Sequence, residues 1–159
     1  MYFPDSGETS WAGPTPLLEQ ALSLVQADLD AAGLTALRLS FAQADSNGPE
    51  PIINVQWRGT WTSDSIEISE SNLDTAVVDV AAHVTQGLIE LEGIYWPTCP
   101  LHGKRAKPAV DHRRQATWSC DKRGVTPHQL ALIGKLHELP KKIRSKGPLW
   151  RSLADLGSP

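Results

Sequence analysis

Apolar residues first fall into a helical rhythm at Leu18, Leu22, Val25 and Leu29, stepping by four, three and four. That spacing puts them on one face, which Leu17 and Ala21 widen. Thr15 offers an N-cap oxygen, Pro16 stands where a missing N–H costs nothing, and Gly33 supplies a stop. On this reading Asp28 and Asp30 lie on the wet side. The period then changes to two. Leu37, Leu39 and Phe41 alternate with Arg38 and Ser40, and Ile53, Val55 and Trp57 alternate with Asn54, Gln56 and Arg58. Asp45 to Pro49 is loop by composition. Gly59 and the polar run to Asp64 predict a turn, and Ile66 and Ile68 a third strand.

The helical period returns at Leu73, Val77, Val80, Val84, Leu88 and Leu91, predicting a helix from Leu73 to Glu92 with Ser71 or Asn72 as cap, Asp74 in its first turn and Gly93 at its end. His83 falls at the flank of its apolar face and reads as a core-edge histidine. Residues 15–94 therefore predict an α+β fold in the order α-β-β-β-α, with both helices on one face of a three-stranded antiparallel sheet.

After Gly93 the pattern shortens. Ala109-Val110 and Ala116-Thr117-Trp118 predict a hairpin about a turn near Asp111–Arg114. Thr126, Pro127 and Gln129 read as a capping box opening a helix that packs through Leu130, Ile133 and Leu136. Four segments result: a loose arm over 1–14, an acidic α+β domain over 15–94, a hairpin-and-helix segment over 95–138, and a basic tail over 139–159. In the tail, Leu149, Trp150, Leu153 and Leu156 predict a short amphipathic helix starting at Pro148. It is either folded back on the acidic domain or offered as a docking peptide.

With 159 residues, 40% of them apolar, the chain can bury a real core, yet no run approaches the ~18 apolar residues of a membrane helix. The residues from Met1 to Asp5 show no basic patch and no apolar run, so the expectation is a cytoplasmic protein with reduced thiols. The net charge of −3 conceals a split: residues 1–95 hold two basic against fourteen acidic side chains, and residues 96–159 hold thirteen against four. The basic half either meets an anionic partner or packs on the acidic half, within the chain or between copies.

The chemistry is concentrated between Trp96 and Leu136. Cys99 and His102 have the C-x2-H spacing of a metal knuckle, braced by Pro97 and Pro100 and followed by Gly103. Cys120, the second of two cysteines, closes the predicted hairpin. Thiolate and imidazole together suit zinc, which accepts both tetrahedrally. Two free thiols, a Cys99–Cys120 disulfide and a cysteine nucleophile are the alternatives; the last lacks an orienting third group.

Knuckle, hairpin, cysteine and helix start, in that order, resemble zinc-ribbon and treble-clef modules. The run W-P-x-C-P-x-H-G, then W-x-C, also resembles small uncharacterised actinobacterial proteins, a resemblance that implies no activity. The zinc modules pair two half-sites, so a fourth ligand is required beside Cys99, His102 and Cys120. His128, past a glycine turn, is the expected one. His112, in the hairpin tip, is the alternative, and Asp121 points elsewhere if the strand continues. The zinc would staple a segment too small to fold alone.

Three functions compete. The first is a non-enzymatic interaction or accessory protein with a structural zinc, binding a protein partner or itself. The second is nucleic-acid binding through Lys104, Arg105, Lys107, Arg113, Arg114, Lys122 and Arg123, with Trp118 stacking on a base. The third is a zinc hydrolase or deaminase. The deaminase signature needs a glutamate two residues after its histidine, and here His102 is followed by Gly103 and Lys104.

Overall fold

A computed structural model describes residues 13–43, 51–57, 60–65, 71–121, 124 and 126–152. The predicted arm falls almost wholly outside them. Helix α1 spans Pro16–Ala31, and the Thr15 hydroxyl accepts from the Leu18 N–H at 3.3 Å. It ends in a Schellman motif: Leu34 N–H donates to Leu29 O and Gly33 N–H to Asp30 O, with Gly33 left-handed at φ +84°.

Strands β1 (Arg38–Gln43), β2 (Pro51–Trp57) and β3 (Thr60–Ser65) form an antiparallel sheet in that order. Leu39 faces Val55 and Phe41 faces Ile53, so one apolar side is continuous across β1 and β2. Gln26 of α1 clamps this sheet by accepting from Leu39 N–H and donating to Leu37 O, both at 3.0 Å. The third strand starts earlier than predicted. Residues 60–64, read as turn, belong to β3, and Trp57 pairs with Thr60. Thr60, Trp61 and Thr62 have strong strand preference, and an edge strand tolerates the polar residues that follow. Ile66 and Ile68 lie outside the described residues.

Helix α2 runs Leu73–Glu92, with the Asn72 side chain accepting from Thr75 N–H at 2.9 Å and left-handed Gly93 at its end. It packs on α1 and also touches strands on both sides of it. After the short strand β4 (Ile94–Tyr95) come β5 (Lys107–Val110), β6 (Ala116–Cys120) and β7 (His128–Leu132), a second antiparallel three-stranded sheet. The predicted hairpin is β5–β6. Asp111 shapes its turn by accepting from the N–H groups of Arg113 and Gln115.

The helix expected after Thr126 is instead β7. Its residues pair with β6, Cys120 opposite His128 and Thr117 opposite Leu132, through a bulge between Trp118 and Ser119. Satisfying the open edge of β6 outweighs a local capping pattern. Gly134, left-handed at φ +95°, then turns the chain into a short 3-10 turn at Leu136–Glu138.

The tail also differs from expectation. The basic run makes a one-turn helix, α3 (Lys141–Arg144), and Arg151–Ser152 is strand β8, paired with β4. Leu149 is buried and Trp150 packs against the core, so neither is an exposed docking anchor. Leu153 and Leu156 lie outside the described residues.

One hydrophobic cluster runs through both halves: Val25 and Leu29 of α1, Val80 and Val84 of α2, Ile53 and Val55 of β2, then Trp96, Trp118, Ile133, Leu136 and Leu149. Trp96 and Trp118, both fully buried, meet edge to face with centroids 5.1 Å apart. Asp28 joins the halves. It was assigned to the wet side of α1, but it is fully buried and accepts from Trp118 Nε1 at 2.8 Å, Gly134 N–H at 2.7 Å and Leu136 N–H at 3.0 Å. Steps of four and three, Ala21 to Val25 to Asp28, already place it on the apolar stripe.

Candidate metal centre

The knuckle is built by the backbone from Thr98 to Arg105, two residues joined by an antiparallel bridge. Cys99 N–H donates to Lys104 O, and the N–H groups of His102 and Gly103 return to Cys99 O. This fold-back requires the left-handed Gly103, at φ +67°. It points the Cys99 sulfur and the His102 ring to one side. The pairing of Cys120 with His128 across β6 and β7 brings a second thiol and imidazole to meet them.

The four ligand atoms lie within 4.8 Å of one another. Cys99 Sγ is 3.7 Å from His102 Nδ1 and 3.6 Å from His128 Nε2, and His102 Nδ1 is 3.4 Å from Cys120 Sγ. Both cysteines are fully buried, both histidines half-buried, and the two imidazoles sit 5.0 Å apart at a steep angle. The cluster could hold a metal ion, and the four residues brought together are the ones named from the sequence, including His128. The alternative fourth ligand, His112, sits exposed in the β5–β6 turn and is not part of it. No disulfide joins Cys99 and Cys120.

Asp121, beside Cys120, faces outward to a lysine pair, with Lys104 and Lys107 each 3.5 Å from its carboxylate. Lys107 above all, with Lys104, holds its carboxyl below the ordinary range. Two of the expected nucleic-acid contacts are therefore already engaged. Arg113 and Arg114 are exposed on the hairpin turn, and Lys122 and Arg123 lie outside the described residues. Trp118, in the middle of β6, is fully buried, so it cannot stack on a base.

Away from the cluster, Asp28 is the perturbed acid. Burial pushes its carboxyl above the ordinary range, against the opposing pull of the hydrogen bonds from Gly134, Trp118 and Leu136. Sequence reasoning also passed over Arg151, whose guanidinium lies against Gly103, within the knuckle. Compared with known protein families, curated proteins and solved structures, the chain finds no match. No described helix is long and apolar enough to cross a membrane.

Proposed function

We propose that Cys99, His102, Cys120 and His128 bind one structural zinc ion, and that the protein works as a non-enzymatic interaction or accessory protein. The observation that carries the reading is the size of the cluster. Zinc–sulfur and zinc–nitrogen bonds at tetrahedral angles separate neighbouring ligand atoms by about 3.3–3.8 Å. Three of the six distances between the four atoms, 3.4, 3.6 and 3.7 Å, fall in that range, and all four atoms lie within 4.8 Å of one another. A mixed thiolate–imidazole set selects zinc over the hard cations, which prefer oxygen. Four protein ligands also fill a tetrahedral ion, leaving no position for water or substrate, which is the pattern of structural sites.

The order knuckle, hairpin, returning strand supports the zinc-ribbon reading of residues 95–138. The interaction surface would be basic, drawn from the exposed Arg113 and Arg114 of the hairpin turn or the exposed Lys141, Lys142 and Arg144 of α3, and its partner an acidic protein surface or a second copy.

Cobalt substitution tests the coordination. Metal-free protein refilled with Co²⁺ is expected to give the intense visible absorption of a tetrahedral centre and a near-ultraviolet thiolate band. A pale octahedral spectrum, or no uptake, would contradict the proposed ligand set.

A further inference from the structure

We infer that the C-terminal strap, residues 145–152, is a metal-controlled latch: it docks on the knuckle when the cluster holds its ion and lets go when the ion leaves. The inference rests on the zinc reading above and adds a consequence to it. The strap touches the knuckle at three points and the strand that leads into it at a fourth. Thr98 N–H donates to Leu149 O at 2.7 Å. The Gly147 backbone lies so close to the Pro100 carbonyl that a Cβ there would come within 3.0 Å. The Arg151 guanidinium covers Gly103, with Nη2 only 3.2 Å from where a Cβ would stand. Strand β8 pairs with β4, Ile94 opposite Ser152 and Tyr95 opposite Arg151. Thr98, Pro100 and Gly103 interleave with the two ligands Cys99 and His102, so the surface the strap sits on is the outer side of the metal loop itself.

Among the described residues, the loop's internal backbone bonds join Cys99 with His102, Gly103 and Lys104, Pro97 with Ala106, and Thr98 with Arg105. It meets β6 and β7 through the cluster and, at its exposed rim, through Lys104, which donates to Asp121 O and pairs with its carboxylate. Withdrawing the ion would leave only thiol–imidazole contacts among the four side chains in place of metal bonds, and the loop gains the freedom to change its curvature.

The docked strap is itself finely balanced. Its strand partner β4 is two residues long, and the ladder between them joins two described residue pairs. Arg151 Nε is buried with no hydrogen-bond acceptor among the described residues, a cost borne only while docked. Elements of this kind, short and partly unsatisfied, are the ones that open locally without global unfolding. Release would uncover Leu149 and Trp150 beside the basic turn of α3, an apolar and cationic segment fit for an acidic, apolar groove. Coupling is reciprocal: if the ion favours docking, docking must favour the ion.

Hydrogen exchange on the full-length protein, with zinc bound and after chelation, tests this directly. The amides of Thr98 and of strands β4 and β8 should lose protection by about tenfold or more on zinc removal, while those in the middle of α2 change little. Gly147→Val, which crowds Pro100, should weaken zinc affinity by about fivefold or more in competition with a chromogenic chelator, while Lys146→Ala should not. Zinc bound but strap protection unchanged on chelation overturns the latch and leaves the zinc site standing. Loss of protection throughout α2 as well makes the ion a general staple and also overturns the latch. A protein that takes up no zinc removes both.

Discussion

Asp28 is a buried carboxylate faced by three hydrogen-bond donors, and this makes its chemistry unforgiving. Asn in its place must turn an NH₂ group toward at least one of Trp118 Nε1, Gly134 N–H and Leu136 N–H. Asp28→Asn should therefore lower stability by about 1–3 kcal/mol, read by denaturant unfolding. The pH dependence has a definite sign. Because the folded-state pKa lies above the ordinary 3.8, this group favours the native state most at the acidic end. That contribution is lost as pH rises through the folded value. The wild-type advantage over Asp28→Asn should shrink across that window and then level off; a growing advantage would contradict the assignment. The two histidines considered for the fourth position separate just as clearly. His128→Ala should abolish tight metal binding, and His112→Ala should leave it unchanged, in the same chelator competition.

At the scale of elements, the two long helices were legible because their signals are local and redundant: Thr15 and Asn72 cap them, Gly33 and Gly93 end them, and apolar steps fill the space between. The strand at His128–Leu132 was not, because its reason lies elsewhere. A T-P-H-Q run satisfies a capping box in isolation, but the open edge of β6 recruits the same residues as a strand. His128 reaches the cluster all the same, since either element would begin near it. Asp28 was misplaced because a charged residue on an apolar stripe is usually an exposed flank, and its partners are 90 or more residues away. Gly134 marks where β7 must end. A Cβ there would come within 2.6 Å of Leu24 Cδ2 at a backbone φ of +95°. Gly134→Ala should cost about 1–3 kcal/mol, seen as a lowered melting temperature.

At the scale of the molecule, the charge split between the halves does not correspond to two separate cores. Trp96, Trp118, Ile133 and Leu136 pack in the same cluster as Val25, Val80 and Val84, and Asp28 ties α1 to the chain around Gly134. Full-length protein should therefore melt in one cooperative transition, and residues 1–94 alone should melt lower and less cooperatively, exposing Asp28 and the surface under Trp118. The sequence pattern could show each apolar face but not which faces meet. The central claim is that four side chains from a knuckle and two strands hold one ion in this shared framework. Native mass spectrometry of the purified, untagged protein tests it most directly. The account predicts about one zinc per chain, lost in Cys120→Ser together with a lowered melting temperature. Metal-free protein with both thiols reactive and stability equal to that of the zinc-supplemented sample would contradict it.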